Sequence, residues 1–178
     1  MSTVYLMTAA NLFVGDHDPT KSKHLTLTEL KLPDLQEIFA DHHGGGTLVA
    51  TEFAVGVEKL EPTFNLAGFD PDLLTAFGLN TRFRHTFTAY GNITDQRSGR
   101  EIQSKAIIEA RLGRVAPDAF TKGELQGHEY AMNSVVHYEL WFDGVEKIAW
   151  DFFTNLWRVD GIDQYAAVNR NLGVPGVV

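Results

Sequence analysis

The feature that leaves a fold least freedom is the two-residue alternation of residues 131–142, AMNSVVHYELWF, with Asp143-Gly144 directly behind it. Successive side chains of a strand point to opposite faces. Met132, Ser134, Val136, Tyr138, Leu140 and Phe142 therefore share one face, and Asn133, Val135, His137, Glu139 and Trp141 share the other. Asp-Gly supplies the positive φ angles of a tight hairpin turn, so residues 145–159 return as the partner strand or strands.

The same period recurs along the chain. Residues 3–14 and 24–32 are apolar and alternating, with Pro33 removing a ladder donor where the second should end. Residues 47–59 and 61–66 alternate again, as do 83–93 and 101–115, the last two joined by the polar loop 94–100. On the second face pattern, Leu25, Leu27 and Leu30 belong to one pleated surface. Residues 117–128 are expected to be loop, and the chain ends in a short helix or tail after residue 160. The period changes only in residues 70–77. There Asp70 is suited to cap free N–H groups, Pro71 fits the first helical position, and Gly78 stops the turn.

Seven or eight strands joined by hairpins, with one internal helix, predict a mainly β fold. We expect an antiparallel β-sandwich or barrel with one short packed α-helix and an extended β-hairpin, built as a single domain over residues 1–178. At 178 residues the chain has room for one substantial core. It contains no cysteine, which excludes a disulfide framework and a thiolate nucleophile. The first residues, MSTVYLMTAANLF, lack the pattern of a secretory leader, and no apolar run is long enough for a membrane helix. The formal net charge of -8 argues against a protein that grips nucleic acid by neutralising phosphates.

The stretch ADHHGGGTLV, residues 40–49, raises three chemical possibilities. His43-Gly44-Gly45-Gly46 resembles an esterase oxyanion loop, but no serine lies in a Gly-x-Ser-x-Gly elbow. A phosphate loop needs Lys-Ser or Lys-Thr after the glycines, where this chain has Thr47-Leu48-Val49. Asp41, His42 and His43 are too close together to converge on one metal ion, and His128-Glu129 lacks the second histidine of a zinc protease helix. The glycines then read as a bent or flexible turn, and the chain as a non-enzyme without cofactor or metal. Open β edges of this length call for pairing with other subunits. Trp141, Trp150 and Trp157 suit either a core or such an interface.

Over nearly its whole length the chain resembles the major tail tube proteins of contractile-tailed phages, the P2-like family that also includes tubes of contractile bacteriocins. The residues that carry the resemblance are Asn11-Leu12-Phe13; Leu30-Lys31-Leu32-Pro33-Asp34-Leu35; Gly44-Gly45-Gly46; and Ala110-Arg111-Leu112-Gly113-Arg114. Tyr138, Leu140 and Asp143-Gly144-Val145-Glu146 continue it, followed by Val159-Asp160-Gly161-Ile162-Asp163-Gln164 and Arg170-Asn171-Leu172-Gly173. Where the family has Tyr-Arg before the glycines, this chain has His42-His43.

The resemblance implies hexameric rings whose sheets join as a continuous inner β-barrel, stacked into the conduit through which DNA passes into the host cell. The alternative is the tube of a bacteriocin or secretion machine that carries no DNA. It further implies a ring-stacking hairpin around residues 40–60, including His42, His43, Gly44, Gly45, Gly46, Thr47, Leu48 and Val49. Partners would be further copies of the chain, a tail sheath protein, a baseplate or tube initiator and a tail terminator. Tape measure protein and DNA would occupy the lumen without specific binding, and no membrane partner is implied. The protein would reside in the virion tail, and in the host cytoplasm during assembly. Carboxylates lining such a lumen would repel phosphates and keep DNA mobile. By alternation the candidates are Glu52, Glu58, Glu109 and Glu139.

Overall fold

The computed structural model describes residues 3–78 and 83–174. Its frame is one nine-stranded, antiparallel sheet in the order β1-β6-β7-β8-β9-β10-β11, with β5 and β2 branching from β8. In chain order the elements are β1 (Tyr5–Val14), β2 (Leu27–Lys31), β3 (Glu37–His42), β4 (Thr51–Val57), β5 (Thr63–Ala67), α1 (Pro71–Thr75), β6 (His85–Asp95) and β7 (Glu101–Pro117). They continue as β8 (Gly127–Phe142), β9 (Val145–Asp151), β10 (Leu156–Val159), β11 (Ile162–Asp163) and α2 (Ala166–Leu172). The mainly β class and the strand reading of residues 101–115 agree with the sequence pattern. There are eleven strands among the described residues, more than the seven or eight expected.

The hairpin turns fall where the sequence places them. Asp143 and Gly144 both adopt positive φ, 51° and 74°, and close β8 onto β9. Gly99, at φ 71°, closes β6 onto β7. Asp70 caps α1 by accepting from the Leu73 N–H, and Pro71 occupies the first turn. The helix is short because its only buried residue is Leu73, leaving little apolar surface to extend it.

The core lies on one face of the sheet. Leu12, Phe87, Ala89, Ile108, Ala110 and Tyr138 supply that face, and Phe64 and Leu66 of β5 fold over it together with Tyr130 and Met132. Phe64 stacks on Tyr130 with ring centroids 4.9 Å apart. The hydroxyl of Tyr138, pushed up to about 12 by burial, stays protonated at any ordinary pH. Beside this core Lys23 and Asp70 form an ion pair at 11% and 15% side-chain exposure, which ties the segment after β1 to the cap of α1.

The long strand β8 explains the branching. One of its edges pairs with β7 on either side of residues 134–136, while the other pairs first with β5 through residues 127–131 and then with β9 from His137 onward. Between those two partners Ser134 takes φ 50° and the β7–β8 register slips twice. A single strand thus serves two diverging ribbons, and the strain of a non-glycine residue at positive φ sits at the fork.

Three sequence expectations are corrected here. Residues 47–50 are not strand, because β4 begins at Thr51. Leu25 does not join the pleated face of Leu27 and Leu30: it sits in a turn closed by the Thr26 N–H to the Lys23 carbonyl and is 85% exposed. The loop expected over residues 117–128 is shorter, since β7 runs to Pro117, where a proline is tolerated at the strand end, and β8 starts at Gly127.

Candidate assembly surfaces

Strands β3 and β4 form a two-stranded sheet of their own, separate from the nine-stranded one. All six residues of β3 and nearly all of β4 are exposed. Cross-strand partners share a face, so Phe39, Asp41, Glu52 and Ala54 line one side of the ribbon, and Ala40, His42, Thr51 and Phe53 the other. The His42 and Phe53 rings lie 5.7 Å apart. Apolar side chains therefore face outward on both sides, and Leu48 and Val49 at the tip are 98% and 74% exposed. This is the surface of an element that has no core within its own chain.

The glycine run makes the turn of this ribbon. Thr47 donates both its N–H, at 3.1 Å, and its hydroxyl, at 2.9 Å, to the Gly44 carbonyl. Gly44, Gly45 and Gly46 are absent from the positive-φ glycines, and a Cβ at Gly45 or Gly46 would meet no atom within 4 Å. The free subunit thus imposes neither a left-handed backbone nor a close approach at these two positions. Asp41 and His42 point to opposite sides of the ribbon. Among the described residues no group of three histidine, aspartate or glutamate side chains is placed to hold a metal ion.

The four lumen candidates separate into two groups. Glu52 and Glu58 belong to the ribbon and its exit, and both are exposed. Glu109 and Glu139 lie on the main sheet, on the face opposite the core. Glu109 pairs with His137, two residues before Glu139 on the same face of β8. Asn92, Gln103 and Lys105 extend that polar face across β6 and β7. Glu139 is engaged within the chain: Trp141 donates its indole N–H to it at 2.8 Å, and His137 Nε2 lies 3.1 Å away. His137 Nδ1 lies 3.0 Å from Asp151. Burial pushes the Asp151 carboxyl up, but hydrogen bonds from Thr154 and His137 outweigh it and hold the group below its ordinary value.

Trp150 and Trp157 face each other across β9 and β10. They form one wall of a cleft of about 960 Å³ that opens at the β8 fork. Asn133, Ser134 and Val135 at the fork and residues 54–61 at the base of the ribbon also line it. Trp141 lies apart from this cleft, with the Lys105 ammonium 5.7 Å from its ring centroid. All three tryptophans are half-buried, so each keeps ring surface available to a partner.

Two surfaces escaped the sequence reading. Strand β3 behind Pro33 carries no contrast between a buried and an exposed face, which is the signal alternation depends on. At the β9–β10 turn, Phe152 and Phe153 stand out from the surface at 63% and 68% exposure, and the Arg84 guanidinium lies 5.8 Å from the Phe153 ring.

The family model described as phage tail tube protein FII matches residues 7–173. A comparison with curated proteins finds no match. Among solved structures, the chain is similar in fold to a subunit of the sheath–tube complex of an extracellular contractile injection system, PVC, in its extended state. That match has 12% identity and a TM-score of 0.51, and covers 72% of this chain and 86% of the other. A chain from the sheath and tube terminator of the same system has 12% identity and a TM-score of 0.52, with 72% and 91% covered. A chain from the baseplate of the anti-feeding prophage has 9% identity and a TM-score of 0.52, with 79% and 94% covered. At these identities the likeness is one of fold.

Proposed function

The chain belongs to the phage tail tube protein FII family, and from that premise we propose that it is the repeating subunit of the inner tube of a contractile injection machine. A tail tube protein is a structural subunit and not an enzyme. The match over residues 7–173 carries this reading, and the fold likeness to chains of contractile injection systems favours a machine that injects material other than a phage genome. The second reading, favoured by the family's own description, is a P2-like phage tail tube that conducts DNA into the host.

In either case residues 1–178 act as one tube domain. Six copies close into a ring in which their sheets join as an inner barrel, which removes the free β edges. The ribbon at residues 40–60 reaches the adjacent ring, with Gly44 to Gly46 permitting it to bend there. Glu109 and Glu139 face the lumen, where net negative charge keeps a polyanionic cargo from adhering. Glu52 and Glu58 belong instead to the stacking surface. Trp150 and Trp157, beside an open cleft, are covered by a neighbouring subunit, and Trp141 lies near the same polar face as Glu139. The outer surface meets a sheath protein, and the tube ends meet a baseplate initiator and a terminator. A tape measure protein, and DNA in the phage reading, fill the lumen without specific binding. The assembled tube is part of an extracellular particle or virion built in the host cytoplasm.

Negative-stain electron microscopy of the purified protein over a concentration series tests this. Six-fold rings, or tubes built from them, are expected. A monomer at every concentration overturns the proposal.

A further inference from the structure

The ribbon formed by β3 and β4 has an electrostatic problem that its own chain does not solve. Residues 37–58 contain Glu37, Asp41, Glu52 and Glu58 and no lysine or arginine. Asp41 and Glu52 stand directly opposite each other across the two strands, and both are exposed. Like charges placed so destabilise a ribbon. Phe39 lies on the same face, 52% exposed. The complement of this face is a surface with exposed aromatic area beside a cation that lacks a carboxylate.

Among the described residues, Arg84, Lys105, Lys122 and Arg170 have no carboxylate within ion-pair distance, whereas Lys21, Lys23, Lys31, Lys59, Arg100, Arg114, Lys147 and Arg158 do. Lys105 is spent on the Trp141 ring. Arg170 lies in the last turn of α2, where the helix end favours a cation. Lys122 shares its loop with Asp118 and Glu124. Arg84 differs from all three. Its Nε and one Nη donate to the Ser134 carbonyl and hydroxyl, each at 3.3 Å, which holds the guanidinium at the β8 fork. Phe153 lies under it, Phe152 packs edge-on to Phe153 at 5.4 Å, and the Phe152 N–H is anchored to the Val136 carbonyl. A planar cation held by hydrogen bonds over an exposed aromatic ring is suited to two carboxylates presented side by side.

We infer that the Phe39–Asp41–Glu52 face of the ribbon of one copy docks on the Arg84–Phe152–Phe153 surface of a second copy, with Arg84 set between the two carboxylates. This rests on the tube reading above and names the receiving surface for its stacking arm.

Because the chain has no cysteine, single-cysteine subunits give a direct test. Glu52→Cys subunits carrying one tag are assembled with Phe153→Cys subunits carrying another, and treated with a short bismaleimide. A covalent pair holding both tags is expected in the assembled fraction, while Glu52→Cys with Lys122→Cys gives none. In parallel, Arg84→Glu and Glu52→Lys each raise the concentration needed for assembly about tenfold or more, and the double variant recovers most of the loss. Circular dichroism of the dilute subunits separates a misfolded variant from one that fails to dock; if Arg84→Glu misfolds, the cross-link decides alone. Assembly of the unmodified chain without the Glu52–Phe153 cross-link, or a cross-link to Lys122→Cys instead, overturns the docking surface and leaves the tube reading standing. No assembly of the unmodified chain overturns both.

Discussion

Removing the carboxylate of Asp70 separates two roles that one side chain performs. Its Oδ1 caps α1, and its Oδ2 pairs with a lysine that is nine-tenths buried. Losing a cap costs about 1 kcal/mol, and leaving a buried ion without its partner costs about 3–5 kcal/mol. Asp70→Ala forfeits both and is expected to destabilise the subunit by about 4–6 kcal/mol. Asp70→Asn keeps an oxygen for the Leu73 N–H, so it should cost about 3–5 kcal/mol and lower Tm by roughly 6–20 °C for a chain of this size. Adding Lys23→Met to Asp70→Asn removes the stranded charge, and stability is then expected to return to within about 1 kcal/mol of the starting protein. Urea unfolding of dilute subunit, followed by tryptophan fluorescence, reads all three. Tyr130 gives an independent signal: burial first, and then the charge of Asp70, hold its phenol above the usual range, so Asp70→Asn should bring that titration down. If Asp70→Asn costs no more than the roughly 1 kcal/mol of an exposed pair, or if the double variant is no better than the single, the buried-charge argument is wrong.

Four other expectations follow from local geometry. A Cβ at Gly113 would overlap Asn133 Oδ1 and lie 2.9 Å from its Cβ, so Gly113→Ala should cost about 1–3 kcal/mol in the same unfolding assay. Gly45→Ala should leave the free subunit unharmed or stabilise it by about 0.4–1 kcal/mol, and a large loss of stability would show that the turn has another backbone. Hydrogen bonds from Thr3, then Ser98 and the Arg97 N–H, hold the Asp95 carboxyl down to about 2. Its folded value lies below the unfolded one, so its contribution to stability is complete above about pH 4 and is lost as pH falls through about 2. NMR titration should find Asp95 near that value, and Ser98→Ala should raise it. Finally, Trp150 and Trp157, as walls of an open cleft, should shift their emission to shorter wavelength when subunits assemble, read in single-tryptophan variants; unchanged emission would place the cleft away from any interface.

Much of the frame was legible because local and tertiary preferences agree in it. Asp143-Gly144 demands a tight turn wherever it sits, and Asp70-Pro71 caps a helix with no help from neighbours. The alternation of residues 131–142 predicts the strand but not its fork. Ser134 has no sequence mark for positive φ, and its conformation comes from β5 and β9 parting on either side of it. Strand β3 was missed because both its faces are exposed, so its residues carry no burial contrast. Leu25 misled in the opposite way, being apolar and in phase, yet placed in a turn. Glu109 and Glu139 lie on one face of the adjacent strands β7 and β8, but which surface becomes a lumen belongs to the assembly rather than to the chain.

The separate β3–β4 sheet has a kinetic consequence. A two-stranded ribbon without a core is only marginally ordered by itself, and its amides are expected to exchange through local openings while those of β7 and β8 wait for global ones. Each arm must be fixed before it returns any contact free energy, and the chain entropy lost is about 1–2 kcal/mol for every residue immobilised. Subunits meeting in free solution bear that cost several times over at the outset, so spontaneous initiation should show a lag. At a preformed end the receiving surfaces are already in place, each arm orders as it lands, and elongation outruns new starts.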